Sequence, residues 1–196
     1  ILLPMISGTQ ELARARALVD EVKVELRESG QAFGEDAELG VMVEVPSVAL
    51  MVDRFAPHCD FLSLGTNDLT QYTLAVDRGN SKVASLYDPF HPAVLQLIKA
   101  VADAGVCHAK PVNICGEMAG DPLATVLLIG LGLNRLSLSP GLIPEVKEII
   151  RSTDSAQARR VADACLRMET GREVKAYLEE VAGESLPYWM RADHRK

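Results

Sequence analysis

Short apolar runs of strand length alternate with longer segments of helical period along most of the chain. The apolar runs cover residues 1–6, 39–45, 60–65, 112–115 and 135–138. Between them, apolar residues recur every three or four positions, as they do from Leu12 to Leu26. This alternation is typical of a parallel sheet covered by helices, and it predicts an α/β fold with five strands.

Local signals predict where several helices begin and end. Ser7 opens a Ser-x-x-Gln capping-box pattern, and Gly30 ends the helix that follows it. Asp121 and Pro122 supply an N-cap and a first-turn proline to a later helix. Residues 67–76 fit either a helix or a structured loop. Residues 141–182 have a helical pattern, with breaks predicted at 151–154 and near 171.

The composition predicts a single cytoplasmic domain. The chain has 196 residues and a net charge of -7, which argues against a nucleic-acid surface built from clustered Lys and Arg. No apolar stretch reaches the roughly 18 residues needed to span a membrane. The four cysteines have neither paired nor metal-ligand spacing, and we expect reduced thiols.

The length and the first residue together predict a fragment. A complete (β/α)8 barrel usually needs about 250 residues, and this chain starts with Ile1 inside a strand-like run. We expect residues 1–183 to form one domain and residues 184–196 to form a polar C-terminal tail.

Polar residues collect where the predicted strands end. In barrels and open parallel sheets, the functional site forms at the carboxyl ends of the strands, because the connecting loops meet there. We therefore expect the site among the residues at these ends, which are Glu44, Thr66, Asn67, Asp68, Cys115, Glu117, Ser137 and Ser139.

Glu44 and Asp68 are candidate metal ligands. A carboxylate at the end of an apolar strand is costly to bury unless a cation or a donor satisfies it. Two carboxylates from adjacent strands, with positions left for water and substrate oxygens, suit Mg²⁺. The structural alternative is that Glu44 pairs with Arg54 or Lys110 and that Asp68 caps a helix.

Three further residues are candidates for binding or chemistry. Asn67 belongs to a Gly-Thr-Asn-Asp segment whose donors can line an anion pocket. Arg78 can grip a phosphate from a loop above the strand ends, or it can pair with Asp77 or Asp88 at the surface. Cys115 can present a mostly protonated thiol as a general acid or nucleophile, or it can be a small buried residue.

Three segments resemble the C-terminal domain of the enzyme I family, the phosphoenolpyruvate-protein phosphotransferases. They are Gly-Val-Met-Val-Glu-Val-Pro-Ser at 40–47, the run from Asp-Phe-Leu-Ser-Leu-Gly-Thr-Asn-Asp to Asp-Arg-Gly-Asn at 60–80, and Cys-Gly-Glu-Met-Ala-Gly-Asp at 115–121. The resemblance is colinear from residue 1 to about 182. It implies a partial TIM (β/α)8 barrel, about strands 4 to 8, with the first three strands and the phosphohistidine domain outside this chain. The residues of the first and third segments are more similar to those of the nitrogen-regulatory paralogue than to those of the sugar-transport form.

The resemblance also implies a role for each matched residue. Glu44 and Asp68 correspond to the family's Mg²⁺ ligands, and Asn67, Asp68 and Arg78 to its residues at the phosphoenolpyruvate phosphate. Cys115 corresponds to the proton donor to the enolpyruvate carbon. The implied activity is Mg²⁺-dependent phosphoryl transfer from phosphoenolpyruvate to a histidine on another domain, with release of pyruvate.

The resemblance extends to partners and leaves two alternatives. It implies a homodimer that passes the phosphoryl group to an HPr-like phosphocarrier protein through the N-terminal domain, so we expect the fragment alone to be inactive. One alternative is a barrel of the pyruvate phosphate dikinase or phosphoenolpyruvate synthase type. The other is a non-catalytic dimerisation or regulatory module.

Overall fold

The centre of the fold is a parallel sheet of four strands in the order β1-β2-β3-β4. The computed structural model describes residues 1–185. The strands are β1 (Leu2–Leu3), β2 (Gly40–Val43), β3 (Phe61–Gly65) and β4 (Val112–Cys115). Each lies inside one of the predicted apolar runs. The alternation of apolar and helical segments therefore located the strands correctly.

Helices follow every strand of the sheet. They are α1 (Thr9–Glu28), α2 (Pro46–Leu50), α3 (Val52–Phe55), α4 (Thr66–Leu74), α5 (Pro92–Cys107), α6 (Pro122–Gly130), α7 (Ile143–Ser152), α8 (Ser155–Cys165) and α9 (Gly171–Ser185). The segment at 67–76, which fitted a helix or a loop, is the helix α4. The predicted breaks at 151–154 and near 171 are confirmed. Among residues 1–185, no helix is both long and apolar enough to cross a membrane.

The predicted fifth strand is reduced to a single bridge. Ile114 pairs with Leu136 in parallel, and its backbone N–H and C=O bond to Arg135 and Ser137. A short 3₁₀ turn, Pro140–Leu142, follows only four residues after Leu136. β4 ends at Cys115 and Gly116 leaves the extended conformation with φ 91°, so the fifth segment has no further partner beyond the Ile114–Leu136 bridge.

The start of α1 differs from the predicted capping box. Gly8 occupies the N-cap, and the Glu11 carboxylate accepts hydrogen bonds from the backbone N–H groups of Ser7 and Gly8 at 2.7 and 3.0 Å. The predicted pairing of Ser7 with Gln10 is therefore wrong by one position. The reason is charge: a carboxylate accepts these N–H groups more strongly than an amide and also favours the positive end of the helix dipole.

The two faces of the sheet have different character. Val43, Leu64 and Ile114 lie side by side in the register on one face, and all three are fully buried against helices. The neighbouring row, on the opposite face, contains Met42 and Ser63. Because side chains alternate along a strand, Glu44 and Cys115 also belong to this second face. The more polar face therefore carries the candidate site residues.

The last helices pack tightly onto the sheet domain. Gly130 at the end of α6 lies so close to α8 that a Cβ at this position would clash with the backbone carbonyl oxygen of Ala158. Asp154 caps α8 by accepting hydrogen bonds from the N–H groups of Ala156 and Gln157 at 3.0 and 2.9 Å. Helix α9 continues to Ser185, so the domain boundary predicted at 183 falls inside it, and the rest of the predicted tail, 186–196, lies outside the described residues.

Candidate functional site

The strand register brings the candidate residues to one edge of the sheet. Val43 pairs with Leu64 and Gly65 pairs with Cys115, so the positions of Glu44, Gly65 and Cys115 follow one another across three adjacent strands. In a parallel sheet these are carboxyl ends, where a site is expected. Glu44 and Cys115, two of the strand-end residues singled out in the sequence, therefore share one edge.

Glu44 is a buried carboxylate with few partners. It is 7% exposed, and its Oε1 accepts a hydrogen bond of 2.7 Å from the backbone N–H of Met5. Within residues 1–185 it forms no ion pair, so the predicted alternative of a bridge to Arg54 or Lys110 is wrong. A buried carboxylate without a cation is energetically costly, and this position suits a bound metal ion.

Gly65 leaves space next to this carboxylate. A Cβ at Gly65 would lie 3.0 Å from Glu44 Oε2 and 2.9 Å from Glu44 Cβ. Any larger residue would therefore displace Glu44 or fill the volume beside Oε2. The donor set fits Mg²⁺, which takes a small number of carboxylate oxygens and completes its shell with water or substrate oxygens. Among the described residues, no group of three His, Cys, Asp or Glu forms a complete protein cage for a metal.

Asp68 and Arg78 lie together above the sheet edge. Arg78 Nη2 is 3.7 Å from Asp68 Oδ1, and Arg78 Nη1 is 3.9 Å from Glu117 Oε1. Both contacts are long and about a third or more of the Arg78 and Asp68 side chains is exposed, so they are weak ion pairs. The predicted surface pairing of Arg78 with Asp77 or Asp88 is not observed. The Arg78 guanidinium can therefore reorient its N–H donors toward an anion at a small cost in free energy.

Asn67 joins the loop after β4 to the first turn of α4. Its Oδ1 accepts a hydrogen bond of 3.0 Å from the backbone N–H of Glu117, which leaves the amide N–H₂ as a donor. Close approach of the two segments requires Gly116, which has φ 91° and whose missing Cβ would lie 2.5 Å from Thr66 Oγ1. Thr66 Oγ1 in turn donates to the backbone oxygen of Cys115 at 2.8 Å.

Cys115 holds its proton. The half-buried Sγ lies 3.3 Å from the backbone oxygen of Leu64 and 3.9 Å from Ser63 Oγ. Burial raises the pKa of the Cys115 thiol, the Ser63 hydroxyl partly offsets this, and the negative charge of Glu44 raises the pKa further. A thiol whose pKa is raised above its usual value of about 8.5 is protonated at neutral pH and suits proton donation better than nucleophilic attack.

A cleft of about 580 Å³ opens beside Asn67. Its lining includes Glu117 and the two serines predicted at the fifth strand end, Ser137 and Ser139. The volume is in the range of small-molecule sites. Glu44 and Cys115 do not line this cleft, so the predicted strand-end residues divide between the sheet edge and the cleft beside it.

Several neighbours of the site were missed in the sequence. Gln71 accepts a hydrogen bond from the Arg78 backbone, and Tyr87 donates one to the Asn67 backbone. Gln71 could have been identified from the sequence, because it lies on the same helical segment as Asp68. Nothing in the sequence singles out Tyr87 except its position before an Asp-Pro pair.

Comparison with known sequences gives a consistent picture. Residues 1–155 match the family described as PEP-utilising enzyme, PEP-binding domain. The chain is 45% identical over 180 residues to the phosphoenolpyruvate-protein phosphotransferase of Haemophilus influenzae, covering 92% of this chain and 31% of that protein. The corresponding protein of Bacillus subtilis is 43% identical over 180 residues, with 92% and 32% covered. The chain thus spans about a third of the length of these curated relatives.

A solved structure with a similar fold supports the architecture. It is a citrate lyase from Burkholderia xenovorans, with a TM-score of 0.55 and 17% identity, covering 94% of this chain and 63% of that one. The likeness concerns the fold alone, and it agrees with the predicted α/β, partial-barrel class. From the family match over most of its length, we conclude that the chain belongs to the family of PEP-binding domains of PEP-utilising enzymes.

Proposed function

We propose that the chain is the phosphoenolpyruvate-binding part of a phosphoenolpyruvate-protein phosphotransferase. The observation that carries the proposal is the placement of the buried Glu44 carboxylate and the half-buried Cys115 thiol at the same edge of the parallel sheet. A carboxylate suited to a metal and a proton donor are the two groups that cleavage of phosphoenolpyruvate to pyruvate needs. The names of the relatives, at 40–46% identity, agree with this function.

Glu44 and Asp68 would hold the metal ion. Both supply hard carboxylate oxygens; Glu44 follows β2 directly, and Asp68 lies in the first turn of α4, which follows the neighbouring strand β3. A Mg²⁺ ion held there would supply positive charge at the phosphoryl oxygens. Asp68 also pairs with Arg78, so the same carboxylate links the metal ligands to the residues at the substrate.

Arg78 and Asn67 would bind and orient the phosphoryl group. The planar guanidinium of Arg78 offers a fork of donors that fits two phosphoryl oxygens. Asn67 offers its amide N–H₂, because its Oδ1 is already occupied by the Glu117 N–H. Both groups act by positioning and by charge, which supply most of the catalysis in phosphoryl transfer.

Cys115 would complete the reaction by protonation. The P–O bond of phosphoenolpyruvate breaks as a P–N bond forms to the acceptor histidine, and the electron pair stays on the enolate of pyruvate. Cys115 S–H then donates its proton to the methylene carbon of the enolate, giving the methyl group of pyruvate. Water then protonates the thiolate, which restores the Cys115 thiol for the next reaction.

The remaining parts of the activity lie outside the residues described. Three of the four histidines, His58, His91 and His108, lie in residues 1–185; His91 caps α5, and His108 contacts Asp53. We therefore assign the phosphorylated histidine to another part of a longer protein. Transfer onward to an HPr-like carrier, a homodimer, a cytoplasmic location and the nitrogen-regulatory branch belong to the same proposal.

Incubation of the full-length protein with labelled phosphoenolpyruvate tests this function. We expect a phosphohistidine and stoichiometric pyruvate, dependent on Mg²⁺ and independent of nucleotide, and we expect Asp68→Ala to abolish both. Asp20→Ala, at an exposed position on α1, is the matched control. A requirement for nucleotide would instead indicate a dikinase or synthase, and absence of phosphoenolpyruvate binding would indicate a non-catalytic module.

A further inference from the structure

We propose that Tyr87 is a positioning residue that holds Arg78 over the substrate site. The proposal rests on the proposed function, because it assigns Arg78 to the phosphoryl group. Tyr87 does not itself need to touch the substrate. It acts through the segment of residues 75–87, which we call the Arg78 segment.

The Arg78 segment is tied to α4 at two points. Near its start, the backbone N–H of Arg78 donates to Gln71 Oε1 at 3.2 Å. At its end, the Tyr87 hydroxyl donates to the backbone oxygen of Asn67 at 3.4 Å. Gln71 and Asn67 lie on the same helix, one turn apart. These two hydrogen bonds therefore attach both ends of the Arg78 segment to α4.

Between the two ties, the hydrogen bonds of the segment join residues within the segment. Gly79 bonds to Asp77, and Lys82 bonds to Asn80, each two residues apart. The stretch from Asp77 to Lys82 is exposed. Such short-range bonds fix turns but not the position of the segment on the protein. The location of Arg78 therefore depends on the two ties to α4, together with its weak ion pairs to Asp68 and Glu117 and the buried side chain of Val76.

The Tyr87 hydroxyl lies among the candidate site residues. Burial raises its pKa, and the Thr70 hydroxyl and the positive charge of Arg78 partly offset this effect. The charges of Glu117 and Asp68 also act on it. The ring is half-buried whereas the middle of the segment is exposed, so Tyr87 is well placed to anchor it.

The chain beyond Tyr87 is anchored as well. Asp88 Oδ1 accepts a hydrogen bond of 3.0 Å from the backbone N–H of Phe90, which is buried. Asp88 also packs against Gly171 at the start of α9, where a Cβ would clash with its carboxylate. The core thus holds the chain that follows Tyr87, and the Tyr87 hydroxyl joins the end of the Arg78 segment to α4 at Asn67.

Loss of the Tyr87 hydroxyl should loosen Arg78 without removing it. A hydrogen bond contributes about 0.5–1.5 kcal/mol, which corresponds to about a twofold to twelvefold change in a binding constant. In Tyr87→Phe we expect KM for phosphoenolpyruvate to rise by about that factor, while the affinity for Mn²⁺ at Glu44 stays within about twofold of wild type. Tyr177→Phe, on the half-buried face of α9, is the matched control and should change neither.

A double-mutant cycle distinguishes positioning from a general loss of stability. If Tyr87 acts through Arg78, the effect of Tyr87→Phe on KM should disappear when Arg78 is already alanine. Additive effects, or an unchanged KM in Tyr87→Phe, would overturn the proposal while leaving the proposed function intact. A wild-type protein that does not react with phosphoenolpyruvate would overturn the proposed function instead.

Hydrogen exchange tests the hydrogen bond between Tyr87 and Asn67 directly, without any substrate. In the 196-residue chain, the amides of residues 76–87 should exchange faster in Tyr87→Phe than in wild type, while those of β2 and β3 should not change. Equal exchange in residues 76–87 shows that the hydroxyl does not hold the segment and rejects the proposal even where the enzyme assay gives no signal.

Discussion

The Cys115 thiol donates a hydrogen bond to the backbone carbonyl oxygen of Leu64, 3.3 Å away. Burial raises the pKa of this thiol, and the negative charge of the nearby Glu44 raises it further. The candidate proton donor and the candidate metal ligand are therefore electrostatically coupled. A change of charge at Glu44 should therefore change the pKa of the Cys115 thiol.

Glu44→Gln should lower the pKa of Cys115. The amide can still accept the Met5 N–H but carries no negative charge, so the thiolate becomes easier to form. At neutral pH we expect faster alkylation of Cys115 by iodoacetamide, followed by mass spectrometry of its peptide. Glu38→Gln, at an exposed position before β2, is the control, and an alkylation rate no faster than that of wild type would contradict the coupling.

Cys115→Ala should separate binding from chemistry. Loss of a general acid typically slows a reaction by about 100-fold to 10,000-fold, so pyruvate formation should slow by at least the lower of these factors. Affinity for phosphoenolpyruvate should change by less than about threefold, since the thiol makes no contact that holds the phosphate in the proposed scheme. Rapid-quench measurement of pyruvate and equilibrium binding supply the two values.

The control for this comparison is Cys107→Ala, at the exposed end of α5. It should match wild type in both measurements. An equal loss of binding and of pyruvate formation in Cys115→Ala would mean that the thiol serves packing alone.

Gly65→Ala should weaken metal binding. The added methyl group would lie 3.0 Å from Glu44 Oε2, tighter than ordinary contacts, and would push the carboxylate away. Changes beside a metal ligand typically cost about tenfold to 100-fold in metal affinity. Titration with Mn²⁺ followed by electron paramagnetic resonance measures this loss, and Gly141→Ala, where a Cβ meets nothing within 4 Å, is the control.

The stability of the protein should fall at alkaline pH because of its buried thiols. Burial raises the pKa of Cys165 to about 11, and it also raises the pKa of Cys59. A thiol in the unfolded chain ionises near pH 8.5, so the unfolded state loses its proton first as the pH rises. The contribution of Cys165 to stability is therefore complete below about pH 8.5 and is lost as the pH rises toward about 11.

Urea unfolding at about pH 7 and about pH 10 measures this loss. The free energy of unfolding should drop less between the two pH values in Cys165→Ala than in wild type. The exposed Cys107→Ala should show the wild-type drop. Equal drops in Cys165→Ala and wild type would show that the buried thiol does not control the pH dependence.

The sheet could be predicted from the sequence because its apolar pattern reports burial directly. Val41, Val43 and Leu64 are all fully buried. The apolar runs that contain them can be recognised from the sequence without tertiary information. The ends of elements were harder, because they depend on competition between neighbouring groups. Glu11 is the acceptor at the start of α1 in place of Gln10 because it is charged, and the turn of the chain at Gly116 limits the fifth strand to one bridge.

The site could be predicted in part for a similar reason. Glu44, Asp68 and Cys115 stand at strand ends, and the parallel topology brings such ends together. The hydrogen bonds that position them join residues far apart in sequence: Met5 to Glu44 across 39 positions and Tyr87 to Asn67 across 20. Such contacts depend on the course of irregular segments, for which the sequence carries no periodic signal.

The close approach of α6 and α8 at Gly130 bears on where this unit of structure ends. The family match stops at residue 155, but Val161, Cys165 and Leu178 belong to the same hydrophobic core as the sheet. Cutting the chain at the end of the family match would strip two helices from α6 and leave apolar surface facing water. The part of the sequence that the family model covers is thus shorter than the part that must fold together, and any boundary for expressing or transplanting this domain belongs beyond Leu178.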